Sequence, residues 1–104
     1  TAVTIVRAGE LAHLEVTPES VGLARATLDQ IAVGGPDENA AAARAVLEGR
    51  PGPVRDMVLL NAAAALVVAD RAGTLTEGVA LARASIDSGA AKAKVDALRR
   101  LTNA

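Results

Sequence analysis

The 104-residue chain has no cysteine and no phenylalanine, tyrosine or tryptophan, and it carries one methionine and one histidine. Without cysteine there can be no disulfide, no thiolate nucleophile and no cysteine metal site, which fits a reducing compartment. Without aromatic rings the core lacks the side chains that each bury about 150 to 250 Å². The hydrophobic fraction of 51% is instead made of small residues, with alanine about a quarter of the chain. Alanine favours helix but adds little buried area, and burial is worth about 25 cal/mol per Å². A chain this short buries only about 60 to 70% of the surface its unfolded form exposes. The composition suits a segment that packs against something more, and equally an alanine-rich proteome whose helices are built this way.

A dominant charge is missing too. Eleven Lys and Arg stand against twelve Asp and Glu, giving a net charge of −1 with both signs interspersed. Neither nucleic acid nor an anionic membrane surface is therefore expected as a partner. The start, TAVTIVRAGEL, has no basic stretch leading into an apolar signal core, so a cytoplasmic location is expected. It also lacks an initiator Met, which suits a fragment or a trimmed chain. No 20 to 50 residue repeat, low-complexity tract or long linker divides the sequence, and residues 1–104 read as one unit.

The longest apolar stretch lies in PVRDMVLLNAAAALVVAD, Pro53 to Asp70, where Asn61 is the one strongly hydrogen-bonding side chain between Met57 and Ala69. Such a run spans roughly 20 Å as a helix, short of the roughly 30 Å core of a bilayer. It reads as the central helix of a domain, surrounded on every side.

Around it the pattern predicts a β-hairpin and four to five helices. Val3 to Arg7 and Leu11 to Val16 are β-branched and leucine-rich runs separated by Ala8, Gly9 and Glu10, a three-residue turn. Thr17 caps a short turn that Gly22 stops, and Thr27 with Gln30 opens a helix expected to end at Gly34 and Gly35. Pro36, Asp37 and Glu38 open the next helix, which stops at Gly49; Pro53 suits the first position of the apolar one. Thr74 and Glu77 form a second capping box before a helix with Leu75, Val79, Ala82 and Ile86 on one face. A last helix carries Val95, Leu98 and Leu101 opposite Lys92, Lys94, Arg99 and Arg100.

Candidate chemistry is sparse. His13 lies in the second strand with no carboxylate, hydroxyl or second ligand arranged beside it, and reads as a solvent-facing strand histidine. Gly34 and Gly35 precede a helix as phosphate-cradling glycines do, but Asp37 and Glu38 occupy the same positive helix end and repel an anion, so capping is the expected role. Those two carboxylates are expected to act as dipole partners rather than a magnesium pair. Asn61 is expected to be buried and to bridge to another element, since an unpaired buried amide costs roughly 1 to 3 kcal/mol. Arg55 and Asp56 are expected to pair with neighbouring segments at the rim.

Three stretches carry a resemblance: VRAGELAHLEVTPESVGL, GGPDENAAAARAVLEG and, most specifically, GPVRD through NAAAAL. Together they are similar to the carboxy-terminal part of anthranilate phosphoribosyltransferases. The resemblance implies an α/β parent domain, the nucleoside phosphorylase and phosphoribosyltransferase catalytic fold, of which this chain is the terminal part. It also implies a pentosyltransferase of tryptophan biosynthesis, in which the amine of anthranilate displaces pyrophosphate from phosphoribosyl pyrophosphate while Mg2+ neutralises the diphosphate. In that family the glycine-rich diphosphate loop, the Asp-Glu pair for magnesium and the anthranilate contacts match sequence upstream of Thr1. No catalytic, cofactor-binding or metal-binding residue is therefore assigned here, and the chain alone is expected to be inactive. Its expected partners are the remainder of the parent domain or a second copy of itself, as a homo-oligomer. The alternative is a stand-alone helical oligomerisation or interaction module derived from that family.

Overall fold

A computed structural model of the chain describes residues 1–32 and 34–103. Two antiparallel strands, β1 (Ala2–Arg7) and β2 (Glu10–Glu15), pair in the register Val3 with Leu14 and Arg7 with Glu10. The turn holds two residues rather than the expected three. Ala8 and Gly9 both take positive φ, 51° and 80°, the twist that joins adjacent strands most tightly, so Glu10 enters the ladder.

A short 3-10 turn, Glu19–Val21, follows. Thr17 starts it as expected: its Oγ1 accepts from the Ser20 N–H at 3.2 Å, and the Ser20 hydroxyl donates to the Thr17 carbonyl at 2.6 Å. Helix α1, Leu28–Ile31, is one turn long and ends before Gly34. Gln30 Oε1 accepts from the Thr27 N–H at 2.8 Å, but none of the helix residues is fully buried and only Ile31 is half-buried, so little packing supports the helix beyond one turn.

Helices α2 (Pro36–Leu47), α3 (Pro53–Val68), α4 (Leu75–Asp87) and α5 (Ala90–Thr102) complete the chain. Proline occupies the first turn of both α2 and α3, as expected. At the start of α4, Thr74 Oγ1 accepts from the Glu77 N–H at 3.1 Å, while the Glu77 carboxylate reaches one residue further back than a capping box requires, to the Gly73 N–H at 2.9 Å.

The core joins Val21, Leu23, Val46, Leu59, Ala63, Val79, Ala82 and Ile86. Helix α3 packs chiefly on α4, with α1 and α2 also against it. The amphipathic reading of α4 holds: Val79, Ala82 and Ile86 are buried on one face. The reading of α3 as surrounded does not. Its buried residues are Arg55, Leu59 and Ala63, one stripe at four-residue spacing facing α4, while Met57, Val58 and Val68 are exposed. Asn61 lies two residues beyond Leu59, about 200° around the helix, and is exposed. Its amide makes no bridge to another element; Nδ2 donates to the Met57 carbonyl one turn back at 2.9 Å. Helix α5 likewise leaves Val95, Leu98 and Leu101 exposed.

Candidate functional site

Helices α3 and α4 approach each other closely. Gly78 is buried opposite Ala63, and a Cβ placed on it would lie 2.8 Å from both Cα and Cβ of Ala63 and 2.9 Å from its carbonyl oxygen. Only hydrogen at position 78 lets the backbones come this near.

One ion pair holds the ends of the same two helices. Arg55 Nη1 and Nη2 donate to Asp87 Oδ1 and Oδ2 at 2.6 and 3.0 Å, and Nη1 also reaches the Gly49 carbonyl at 3.4 Å. The fork therefore ties the start of α3 to the end of α4 and to the turn after α2. The guanidinium of Arg55 holds the Asp87 carboxyl below the usual aspartate range, and the carboxylate raises Arg55 in turn. Asp56, which was expected to pair as well, forms no ion pair among the described residues; it sits in the first turn of α3, where the helix dipole favours a carboxylate.

A depressed pKa in the folded state sets the pH dependence. The stabilisation from Asp87 is fully present above the unfolded value, near about 4, and is lost as pH falls through the lower folded value. Urea unfolding from pH 7 to pH 2 should show wild type losing stability at the acid end, with a smaller acid loss in Asp87→Asn. Identical acid slopes would show that the pair contributes nothing; its carboxylate is half-exposed and screened.

The remaining candidates stay apart. His13 is exposed on β2 as expected, but a hydroxyl does lie beside it, contrary to the sequence reading: antiparallel pairing sets Thr4 of the facing strand opposite, with its Oγ1 3.1 Å from Nδ1. Gly34 donates its N–H to Glu38 Oε2 at 2.9 Å, so the chain's own carboxylate takes a donor that a bound anion would need. Asp37 and Glu38 lie in the first turn of α2. Among the described residues no three His, Cys, Asp or Glu side chains group so as to hold a metal ion, and no helix is long and apolar enough to cross a membrane. Apolar grooves among the described residues include one of about 810 Å³ between the hairpin and the α3–α4 pair and one of about 1100 Å³ bordered by α2, α3, α4 and the start of α5. Sequence reasoning missed Asp87 and Gly78 as the partners of Arg55 and Ala63. The glycine within an otherwise regular helical pattern was the one available signal.

Residues 1–92 match the model of the glycosyl transferase family, a/b domain. The chain belongs to that family.

The chain is 51% identical over all 104 residues to the anthranilate phosphoribosyltransferase of Azorhizobium caulinodans, of which it covers 30%. It is 55% identical over 98 residues, 94% of its length, to the Rhodopseudomonas palustris protein of that name, covering 29% of it. The crystal structure of anthranilate phosphoribosyltransferase from Thermus thermophilus superposes on 79% of this chain and 25% of that one, with a TM-score of 0.69 and 47% identity. The chain thus spans about 30% of the length of these relatives. Its hairpin and five helices form a segment of the family's α/β domain, as the resemblance implied.

Proposed function

We propose that this chain is a buttressing segment of an anthranilate phosphoribosyltransferase, a cytoplasmic pentosyltransferase of tryptophan biosynthesis. In the proposed reaction the anthranilate nitrogen bonds to the anomeric carbon of phosphoribosyl pyrophosphate as the carbon–oxygen bond to the diphosphate breaks, releasing pyrophosphate, and the nitrogen gives up one proton to become a neutral secondary amine. The observation that carries the reading is the high identity along the whole chain to enzymes about three times as long. Magnesium would neutralise the leaving diphosphate. The described residues do not fit a magnesium site, because Glu38 is engaged by the Gly34 N–H and no third donor joins it and Asp37. In this reading the ligands for magnesium and the reacting groups belong to other parts of the enzyme. The role left to this chain is mechanical: the α3–α4 contact and the Arg55–Asp87 fork give a stiff base.

The test has two parts. The purified 104-residue chain should release no pyrophosphate from phosphoribosyl pyrophosphate in the presence of anthranilate and magnesium. A reading frame containing the chain should continue upstream through a glycine-rich loop and an Asp-Glu pair, and its product should consume anthranilate. Turnover by the isolated chain overturns the buttressing role. A start codon near Thr1 overturns the enzyme and favours the interaction module, for which the exposed Val95, Leu98 and Leu101 of α5 offer a surface.

A further inference from the structure

Helices α3 and α4 carry apolar surface on two opposite sides. On α3, Ala64, Val67 and Val68 border the groove under the hairpin, and Ala62, Ala65 and Leu66 border the larger one, about 160° around the helix. The larger groove, of about 1100 Å³, is thus built by this chain's own α2, α3, α4 and the start of α5, on the side away from the hairpin. Its volume lies at the upper end of small-molecule pockets, about 300 to 1,000 Å³. Part of its floor is open to solvent, with Val58 37% and Leu81 46% exposed.

The charges around it have one sign. Among the described residues that line the groove Arg71 and Lys94 are charged, and none is Asp or Glu. The groove under the hairpin, by contrast, is bordered by Glu15 and Asp70 as well as Arg7. Backbone geometry fixes where the two cations stand. Asp70 takes a left-handed φ of 58°, and the Arg71 N–H returns to the Leu66 carbonyl at 2.9 Å, which closes the end of α3 and sets Arg71 beside the groove. Gly89, with φ 85°, turns the chain into α5, where Ala91 and Lys94 share one face of the helix. The Arg55–Asp87 pair joins the start of α3 to the end of α4, so these helices run antiparallel and the cations come from opposite ends of the pair. Neither Arg71 nor Lys94 forms an ion pair among the described residues.

We infer that this groove binds a small aliphatic carboxylate, its chain on the apolar floor and its carboxylate beside Arg71 or Lys94. The floor at Ala62, Ala65 and Leu81 offers hydrocarbon to hydrocarbon, and nothing there repays the desolvation of a sugar or of a charge in mid-chain. A cation at the rim favours an anionic head, and with no acidic side chain lining the groove nothing opposes its approach. The chain has no aromatic ring to stack on a flat ligand, so an extended alkyl chain fits the floor better than a ring. The site lies within this chain and is independent of the proposed reaction.

Octanoate and octan-1-ol, alike in chain and different in charge, test this through amide chemical shifts. Octanoate should give saturable shifts at Ala62, Ala65, Leu81 and Ser85. Arg71→Gln combined with Lys94→Gln should weaken octanoate binding roughly three- to fivefold and leave octan-1-ol binding unchanged. Equal octanoate affinity in that variant and in wild type, or shifts that rise without saturating, overturns the site. The same titration on the longer polypeptide of the proposed enzyme shows whether the groove is open there. Shifts at the same four residues support the proposal, and their loss shows that other parts of the enzyme fill the groove and overturns it. Shifts that follow protein concentration without octanoate assign the groove to a second copy and overturn it too.

Discussion

Leu59→Ala should lower the unfolding free energy of the 104-residue chain by about 2 to 5 kcal/mol. Leu59 is 0% exposed and is the largest fully buried side chain among the described residues. It lies in the one stripe of α3 that faces α4, between Arg55 and Ala63. Truncation removes its buried methyl groups and leaves a cavity, and the other buried core residues, alanine and valine apart from Leu23 and Ile86, include few long side chains that can swing in to fill it. The urea midpoint should fall with little change in slope. Asn61→Ala is the matched control: the residue is exposed and bonded within its own helix, so its loss should change stability by no more than about 0.5 kcal/mol. If the two variants unfold at the same urea concentration, the orientation of α3 described above is wrong.

Gly78→Ala should destabilise by about 1 to 3 kcal/mol, against the direction of helix propensity. Alanine in a helix interior is favoured over glycine by about 1 kcal/mol, so in an exposed helix the change would stabilise. Here the added methyl meets the backbone of Ala63 at 2.8 to 2.9 Å, and no flexible side chain can yield. The helices must part, which loosens Leu59, Val79 and Ala82 together. Combining Gly78→Ala with Ala63→Gly removes the Cβ contact but leaves those to Cα and carbonyl oxygen, so the second change should recover only part of the loss from the first. A Gly78→Ala chain as stable as wild type would show that the two helices do not pack this closely.

These two positions show how the fold relates to its sequence. The hairpin, the helix starts at Pro36, Pro53 and Thr74 and the amphipathic face of α4 were legible because each depends on residues within a turn or two of one another. Turn length was less legible, since Ala8 had to accept a left-handed conformation that alanine seldom takes. Asn61 was misread for a different reason. An apolar run of this length tells that a helix avoids water, but not which of its faces this chain covers and which it leaves open.

The candidate chemistry followed the same division. By itself the sequence determined the family, through GPVRD and NAAAAL. It also determined the identity of the caps, and the repulsion of anions by Asp37 and Glu38 at the start of α2, which are local matters of residue type and spacing. Only the tertiary structure decided that Arg55 meets Asp87 thirty-two residues away, that Gly78 meets Ala63, and that the hairpin borders an open groove. Pairings of this kind depend on how helices and strands stack in space, and no periodicity along one element encodes which residue of another will lie against it.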